Sequence, residues 1–316
     1  MKTKTQNLDK NPTTHNPQPT TKLTWLPKKT FELEFSLPWP EVKKTYDLTL
    51  KEIASQTTIK GFRTGKAPIN LVEKSVDKQK IYEEVIKKLL PKTYDQTVKQ
   101  HHLEPIMSPK IQLVSLKEGE NWQFKAIACE RPEIKLENYE QLIKGELAKT
   151  KIWLPGQRSF SEGATPDKAK KEAGKEVKQS YDEKLKIVTQ TLLNHIKVEI
   201  ADILIEDEVN RMLTRFLDQV NALGMTIEQY LHNKGITNTQ LRQQYQKQAE
   251  ETLKLEFILE AIIDDKKITV NKEEVDKMIS AAPDEKVRQQ LKTPLQMNYL
   301  FTILSKRKAL DYLTNL

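Results

Sequence analysis

No stretch of this sequence approaches the roughly 18 apolar residues that a membrane-crossing helix needs, and its start, MKTKTQNLDKNPTTHNPQPTT, holds no apolar run of signal-peptide length. Membrane and export roles are set aside on that ground, and a cytoplasmic location is expected. Cysteine is nearly absent. Cys129 stands alone, so an internal disulfide is excluded and a reducing compartment suits the chain. It alternates with Ile127 as a small strand residue and has no evident histidine partner, which argues against a catalytic thiol. Histidine is scarce too, at five residues. His101 and His102 stand near Glu104, yet adjacent residues on a helix point in different directions and no third ligand has suitable spacing. No metal and no cofactor are expected, and no nucleophile with a matching base stands out.

Apolar residues make up only 37% of the 316 residues, against 30% charged. The length calls for two domains. The balance calls for much surface per unit of core, as in extended helical proteins rather than compact enzymes. Acidic residues are rare at the start: residues 1 to 30 hold six lysines against Asp9, a net +5 within a total of +8. From Tyr181 onward 19 Lys plus Arg face 21 Asp plus Glu, a net −2. A polyanionic partner should therefore meet the N-terminal half. Residues 1 to 22 lack the apolar side chains that offset the entropy of ordering, so a disordered basic tail is expected there.

Phe31, Leu33, Phe35 and Leu37 alternate with Glu32, Glu34 and Ser36, the period of a strand with one buried face. After Pro38 and Pro40, Val42, Tyr46, Leu50 and Ile53 fall on one side of a helix that reaches Ala54. Ile81, Val85, Leu89 and Leu90 lead a second helix towards His101, which Pro91 should kink or divide. Alternation then returns at Ile111 and Leu113 and from Trp122 to Ala128, joined by the turn Lys117-Glu118-Gly119-Glu120. An α+β domain ordered β-α-loop-α-β-β is predicted over residues 23 to 149. Residues 150 to 180, rich in Gly, Pro, Ser, Ala and Lys, read as a linker or the start of a long helix. From 181 to 316 the signals are helical. One apolar stripe runs from Val209 to Leu223 with Gly224 as its stop, and a short helix over Ile227–Lys234 ends at Gly235. The longest element is expected from Leu241 to Ile262, Asn271 caps another helix, and Pro294 breaks or restarts the last.

Between the first two helices lies Gly61-Phe62-Arg63-Thr64-Gly65-Lys66-Ala67-Pro68. Its glycines permit a sharp turn, Pro68 opens a helix, and an aromatic is set among cations. A nucleotide-binding reading fails: the glycine spacing is one residue too short for a phosphate loop, and Ala67 stands where a hydroxyl should hold magnesium. An outward docking tip, with Arg63 and Lys66 for phosphates or acidic groups and Phe62 for an apolar pocket, fits better.

The octapeptide resembles the ribosome-binding tip of bacterial trigger factors, Gly-Phe-Arg-Lys-Gly-Lys-x-Pro, and departs from it only at Thr64. Leu26-Pro27-Lys28 and Leu103-Glu104-Pro105-Ile106 extend the resemblance through the first domain. Ile203 to Glu208, Ile227-Glu228-Gln229-Tyr230-Leu231, Leu253 to Ala261 and Lys308 to Leu313 extend it through the helical half, so that roughly 23 to 149 and 181 to 316 are covered. The resemblance implies an ATP-independent chaperone that docks at the exit tunnel, on its protein and ribosomal RNA, through Gly61 to Pro68 and shelters nascent and unfolded chains. A homodimer off the ribosome is a further state it allows. Typical trigger factors also carry an FK506-binding-type peptidyl-prolyl isomerase domain between the two regions. Here about thirty residues stand in that interval, too few for such a sheet and its pocket. The chain is therefore expected not to be an enzyme. The alternatives are an isomerase by lineage with lost or residual activity, and a basic RNA-binding regulator. Thr64 removes a cation and should weaken docking, with Lys60 as partial compensation. Met212, Phe216, Met225, Met278, Met297 and Phe301 are weak candidates for a client-binding surface, their helical spacing fitting a buried core at least as well.

Overall fold

A computed structural model describes residues 21 to 59, 62 to 150 and 166 to 316, with backbone only at Thr150 and from 166 to 180. The expected tail, apart from Thr21 and Lys22, and half of the expected linker lie outside the described residues. The chain divides into two compact units at Arg131/Pro132. That division precedes the boundary expected at 149.

The first unit begins with a hairpin, β1 (Thr21–Leu26) and β2 (Thr30–Leu37). Thr21 and Lys22, expected in the tail, pair with Phe35 and Glu34. Lys28 and Lys29 both adopt positive φ, and the Thr30 N–H donates to the Pro27 carbonyl at 3.3 Å. Such a turn matches the twist of the strands it joins. Helices α1 (Trp39–Gln56), α2 (Ile69–Ser75) and α3 (Lys78–Gln100) follow, then β3 (Lys110–Ser115) and β4 (Trp122–Cys129). The sheet is antiparallel in the order β1-β2-β4-β3. Alternation sends Phe31, Leu33, Phe35 and Leu37 of β2, with Trp122, Phe124, Ala126 and Ala128 of β4, into one core. Helices α1 and α3 add Val42, Leu50, Ile81 and Val85 to it. Trp122 is fully buried, its ring 5.0 Å from Tyr82 and 6.5 Å from Trp39, both edge-on or tilted. Helix α3 runs through Pro91 undivided. Thr93 and Thr97 are buried, and each satisfies its hydroxyl by donating it to the carbonyl four residues back.

The second unit is helical: α4 (Tyr139–Thr150), α5 (Pro166–His195), α6 (Asp202–Ala222), α7 (Ile227–Lys234), α8 (Asn238–Lys266), α9 (Lys272–Ser280), α10 (Glu285–Leu291) and α11 (Pro294–Thr314). Helix α4 belongs here because it packs along α5 with Ile143 and Leu147 buried. Helix α5, at 30 residues, exceeds the 29 of α8, which was expected to be longest. Helix ends follow local chemistry. Thr226 with Gln229, and Thr237 with Gln240, form reciprocal capping boxes at the starts of α7 and α8. Gly224 and Gly235 take left-handed φ after α6 and α7. Lys266 joins α8 to α4, pairing with Glu140 at 2.5 Å, while the Tyr312 hydroxyl of α11 donates to the same carboxylate at 2.9 Å. Those two partners hold the Glu140 carboxyl below its ordinary value, and Glu140 chiefly raises that of Lys266.

Two outcomes follow from this packing. Tyr94 is buried beside Phe35, its hydroxyl without a partner among the described residues, and burial pushes its pKa up to about 12. Urea denaturation should show Tyr94→Phe unchanged or more stable by up to about 1 kcal/mol, against a loss of about 3 kcal/mol or more for Phe35→Ala. Since the folded pKa of Glu140 lies below its unfolded value, its contribution is present above the unfolded carboxylate pKa and lost as pH falls through the folded one. Glu140→Gln should thus lower the thermal midpoint at pH 7 and match the parent once the carboxylate is protonated.

Candidate functional site

The loop between α1 and α2 is held at both legs. Thr57 caps α1, with its N–H donating to the Ile53 carbonyl at 2.9 Å and its hydroxyl to the same oxygen at 2.7 Å. Ile59 on one leg and Ala67 on the other pack against the sheet core. At the far end the Pro68 carbonyl accepts from the N–H groups of Leu71 and Val72, opening α2 as a proline there should. Val72 is fully buried, and the Tyr46 hydroxyl of α1 donates to Glu73 of α2 at 3.0 Å. Burial first, then that carboxylate, raises the Tyr46 pKa.

Between these anchors the backbone turns twice. The Phe62 N–H donates to the Ile59 carbonyl at 3.0 Å, and the Lys66 N–H to the Arg63 carbonyl at 2.9 Å. Gly65 sits third in the second turn with φ +76°, a conformation that disfavours any Cβ. A Cβ there would also lie 2.9 Å from the Ser55 carbonyl oxygen of α1. The Thr58 and Thr64 hydroxyls meet at 2.9 Å across the neck. Phe62, Arg63, Thr64 and Lys66 are exposed, Phe62 to 41%. Gly61 and Lys60 lie outside the described residues. Ile69 and Leu71, at the start of α2, are exposed beside the loop. Helical spacing does not separate these residues, since Ile69 stands three before the buried Val72 on the same side of the helix, and no sequence signal marks the two as exposed. A wet, cationic, aromatic-bearing turn on a dry frame can bind an anionic surface with an apolar recess.

Other candidates are placed apart from chemistry. His101 Nε2 lies 3.1 Å from the Thr21 hydroxyl at the end of α3, and Cys129 is buried, which pushes its thiol up to about 11. Among the described residues no cluster of three metal-ligating side chains occurs, and no helix is long and apolar enough to cross a membrane.

The six client-surface candidates separate by burial. Phe216 is a core residue: it packs with Val220, Leu231 and Leu241, its ring edge-on to Tyr230 at 4.9 Å. Met225 packs on the same cluster, and Phe301 on Val275, Ile279 and Leu300. Met212 and Met297 are half-buried. Met278 alone of the six is exposed. The structure instead exposes Leu217 and Leu223 of the α6 end, and Leu295 and Tyr299 of α11, the last two to 76% and 61%. Leu217 and Leu223 lie within the apolar stripe from Val209 to Leu223, so periodicity assigns them to the buried face, and it carries no mark for Leu295 and Tyr299.

Two family models match, the bacterial trigger factor protein over residues 20–152 and the bacterial trigger factor C-terminus over residues 166–315. Trigger factor of Carboxydothermus hydrogenoformans is 23% identical over 415 aligned positions, covering 91% of this chain and 97% of the relative. That alignment is longer than the 316-residue chain itself. Trigger factor of Moorella thermoacetica is 36% identical over 117 residues, 37% of this chain and 26% of the relative. A solved structure of the trigger factor chaperone, from work on promiscuous substrate recognition in folding and assembly, superimposes with a TM-score of 0.59 at 15% identity. It covers 94% of this chain and 99% of that one, and the likeness is one of fold.

Gly65 and Gly119 separate backbone strain from crowding, since both have positive φ but a methyl group on Gly119 would meet nothing within 4 Å. Gly119→Ala should cost about 1 kcal/mol in denaturant titrations. Gly65→Ala should cost more, or shift the loop, which amide chemical shifts from residues 62 to 66 would display.

Proposed function

This chain belongs to the bacterial trigger factor family, and from that premise we propose that it is an ATP-independent cytoplasmic chaperone that docks on the ribosome through residues 61 to 68. The observation that carries the proposal is the loop itself: exposed Phe62, Arg63 and Lys66 on a turn anchored at both legs by Ile59 and Ala67. Arg63 and Lys66 supply charge for ribosomal RNA phosphates or acidic side chains at the exit tunnel, and Phe62 enters an apolar recess of a ribosomal protein. Nascent and unfolded chains are held by the helical unit, with Leu217, Leu223, Met278, Leu295 and Tyr299 as contact residues. Apolar segments gain about 25 cal/mol per Å² removed from water there, in small patches whose weak contacts permit release. Homodimerisation off the ribosome is part of the same proposal.

We further propose that the chain does not catalyse prolyl isomerisation. The two matching family models end at residue 152 and resume at residue 166. A barrier of about 18–20 kcal/mol has to be lowered by an enclosing site, and so short an interval has no room for one.

Co-sedimentation with ribosomes tests the docking role. The Phe62→Ala/Arg63→Ala/Lys66→Ala protein should stay in the supernatant while the parent pellets, and equal pelleting of the two rejects the loop as the anchor. Proline-limited refolding of a model substrate should proceed at its uncatalysed rate with substoichiometric protein present.

A further inference from the structure

The family's tip places a lysine where this chain has Thr64, and taken as a charge count that exchange only weakens docking. The geometry gives Thr64 a second role. Its hydroxyl meets that of Thr58 at 2.9 Å, six residues earlier and across the neck of the loop. Beside this pair the Gly65 N–H points to the Thr57 carbonyl at 3.5 Å, and the Gly65 α-carbon region lies against the Ser55 backbone. Thr57 is in turn fixed to α1 through both its N–H and its hydroxyl. The cross-neck contacts therefore run from the last turn of α1 to the turn that carries Arg63 and Lys66. A lysine at position 64 carries its donor at the end of a four-methylene stem and has no hydroxyl on its β-carbon, so this short hydroxyl–hydroxyl pairing belongs to the threonine.

Resting on the docking reading above, we infer that Thr58 and Thr64 are positioning residues, a hydroxyl pair that closes the neck of the loop and holds Phe62, Arg63 and Lys66 in the binding arrangement before the ribosome is met. A loop ordered in advance loses less conformational freedom on binding, and that gain appears in affinity without a new intermolecular contact. Because the pair is uncharged, its contribution is independent of salt, unlike that of Arg63 and Lys66. It also offers a hydroxyl-specific signature, since serine can make the same bond and isosteric valine cannot.

The test uses the full chain and purified ribosomes, with binding titrated at several salt concentrations. Thr64→Val and Thr58→Val should each weaken binding about three-fold, the yield of one modest hydrogen bond. Thr64→Ser should restore the parent affinity, the double valine protein should be no weaker than either single one, and the slope of log affinity against log salt should stay constant. In the free protein, amide exchange at Gly65 and Lys66 should accelerate by a similar factor in Thr64→Val and not in Thr64→Ser. Parent-like affinity of the valine proteins, additive losses, or a changed slope would overturn the inference. So would unchanged exchange in the free protein, and that measurement decides the matter even if the parent fails to bind ribosomes. Failure of the docking reading is recognised separately, by parent-like binding when Arg63 and Lys66 are replaced by alanine.

Discussion

Burial of one face of a four-stranded sheet by α1 and α3 is the condition on which the loop depends. Phe31, Leu33, Phe35 and Leu37 lie on one side of β2 because the backbone alternates, and the matching residues of β4 complete the layer. Trp122 closes one end of this layer against Tyr82 and Trp39. Ile59 and Ala67 reach the same core from opposite legs of the loop. Cations at the tip have to remain in water, where their desolvation cost is avoided. Their orientation is therefore set from the legs, by apolar contacts that lie outside the charged segment.

The helical unit solves a different problem. Two of its clusters are small, Phe216, Val220, Leu231 and Leu241 at one place and Val275, Ile279 and Leu300 at another, and beside them Ile143, Val188, Leu192, Ile258, Ile262 and Leu313 are fully buried along α4, α5, α8 and α11. The two Thr/Gln capping boxes, the glycines after α6 and α7, and the Lys266–Glu140–Tyr312 joint add to that burial. Exposed Leu223, Leu295 and Tyr299 are then surplus to packing. Apolar side chains without a structural use are what a surface for unfolded chains requires.

Much of this fold is legible in the residues alone. Period-two alternation locates β2 and β4, Gly235 ends α7 at the expected residue, and Pro68 opens α2. Strand β1 is not, because TKLTWL is an edge strand with most of its side chains in water and so lacks a clean buried face. For helix α4, Ile143 and Leu147 mark a buried face without naming the helix that covers it, and contact with α5 groups it with the second unit. At the loop, residue types announce an exposed turn that carries Phe62, Arg63 and Lys66. The contacts that shape it, Thr58 to Thr64 and Gly65 to Ser55, join residues whose pairing no periodicity encodes.

That last difference bears on how the exchange of a lysine for Thr64 is valued. A cation contributes through released counterions, so its benefit is large in dilute salt and shrinks steadily as salt rises. A bond that orders the loop contributes the same at every ionic strength, because it acts on the conformational freedom of the unbound protein. On the proposed docking reading, Thr64 exchanges a contribution that fades as salt rises for one that does not.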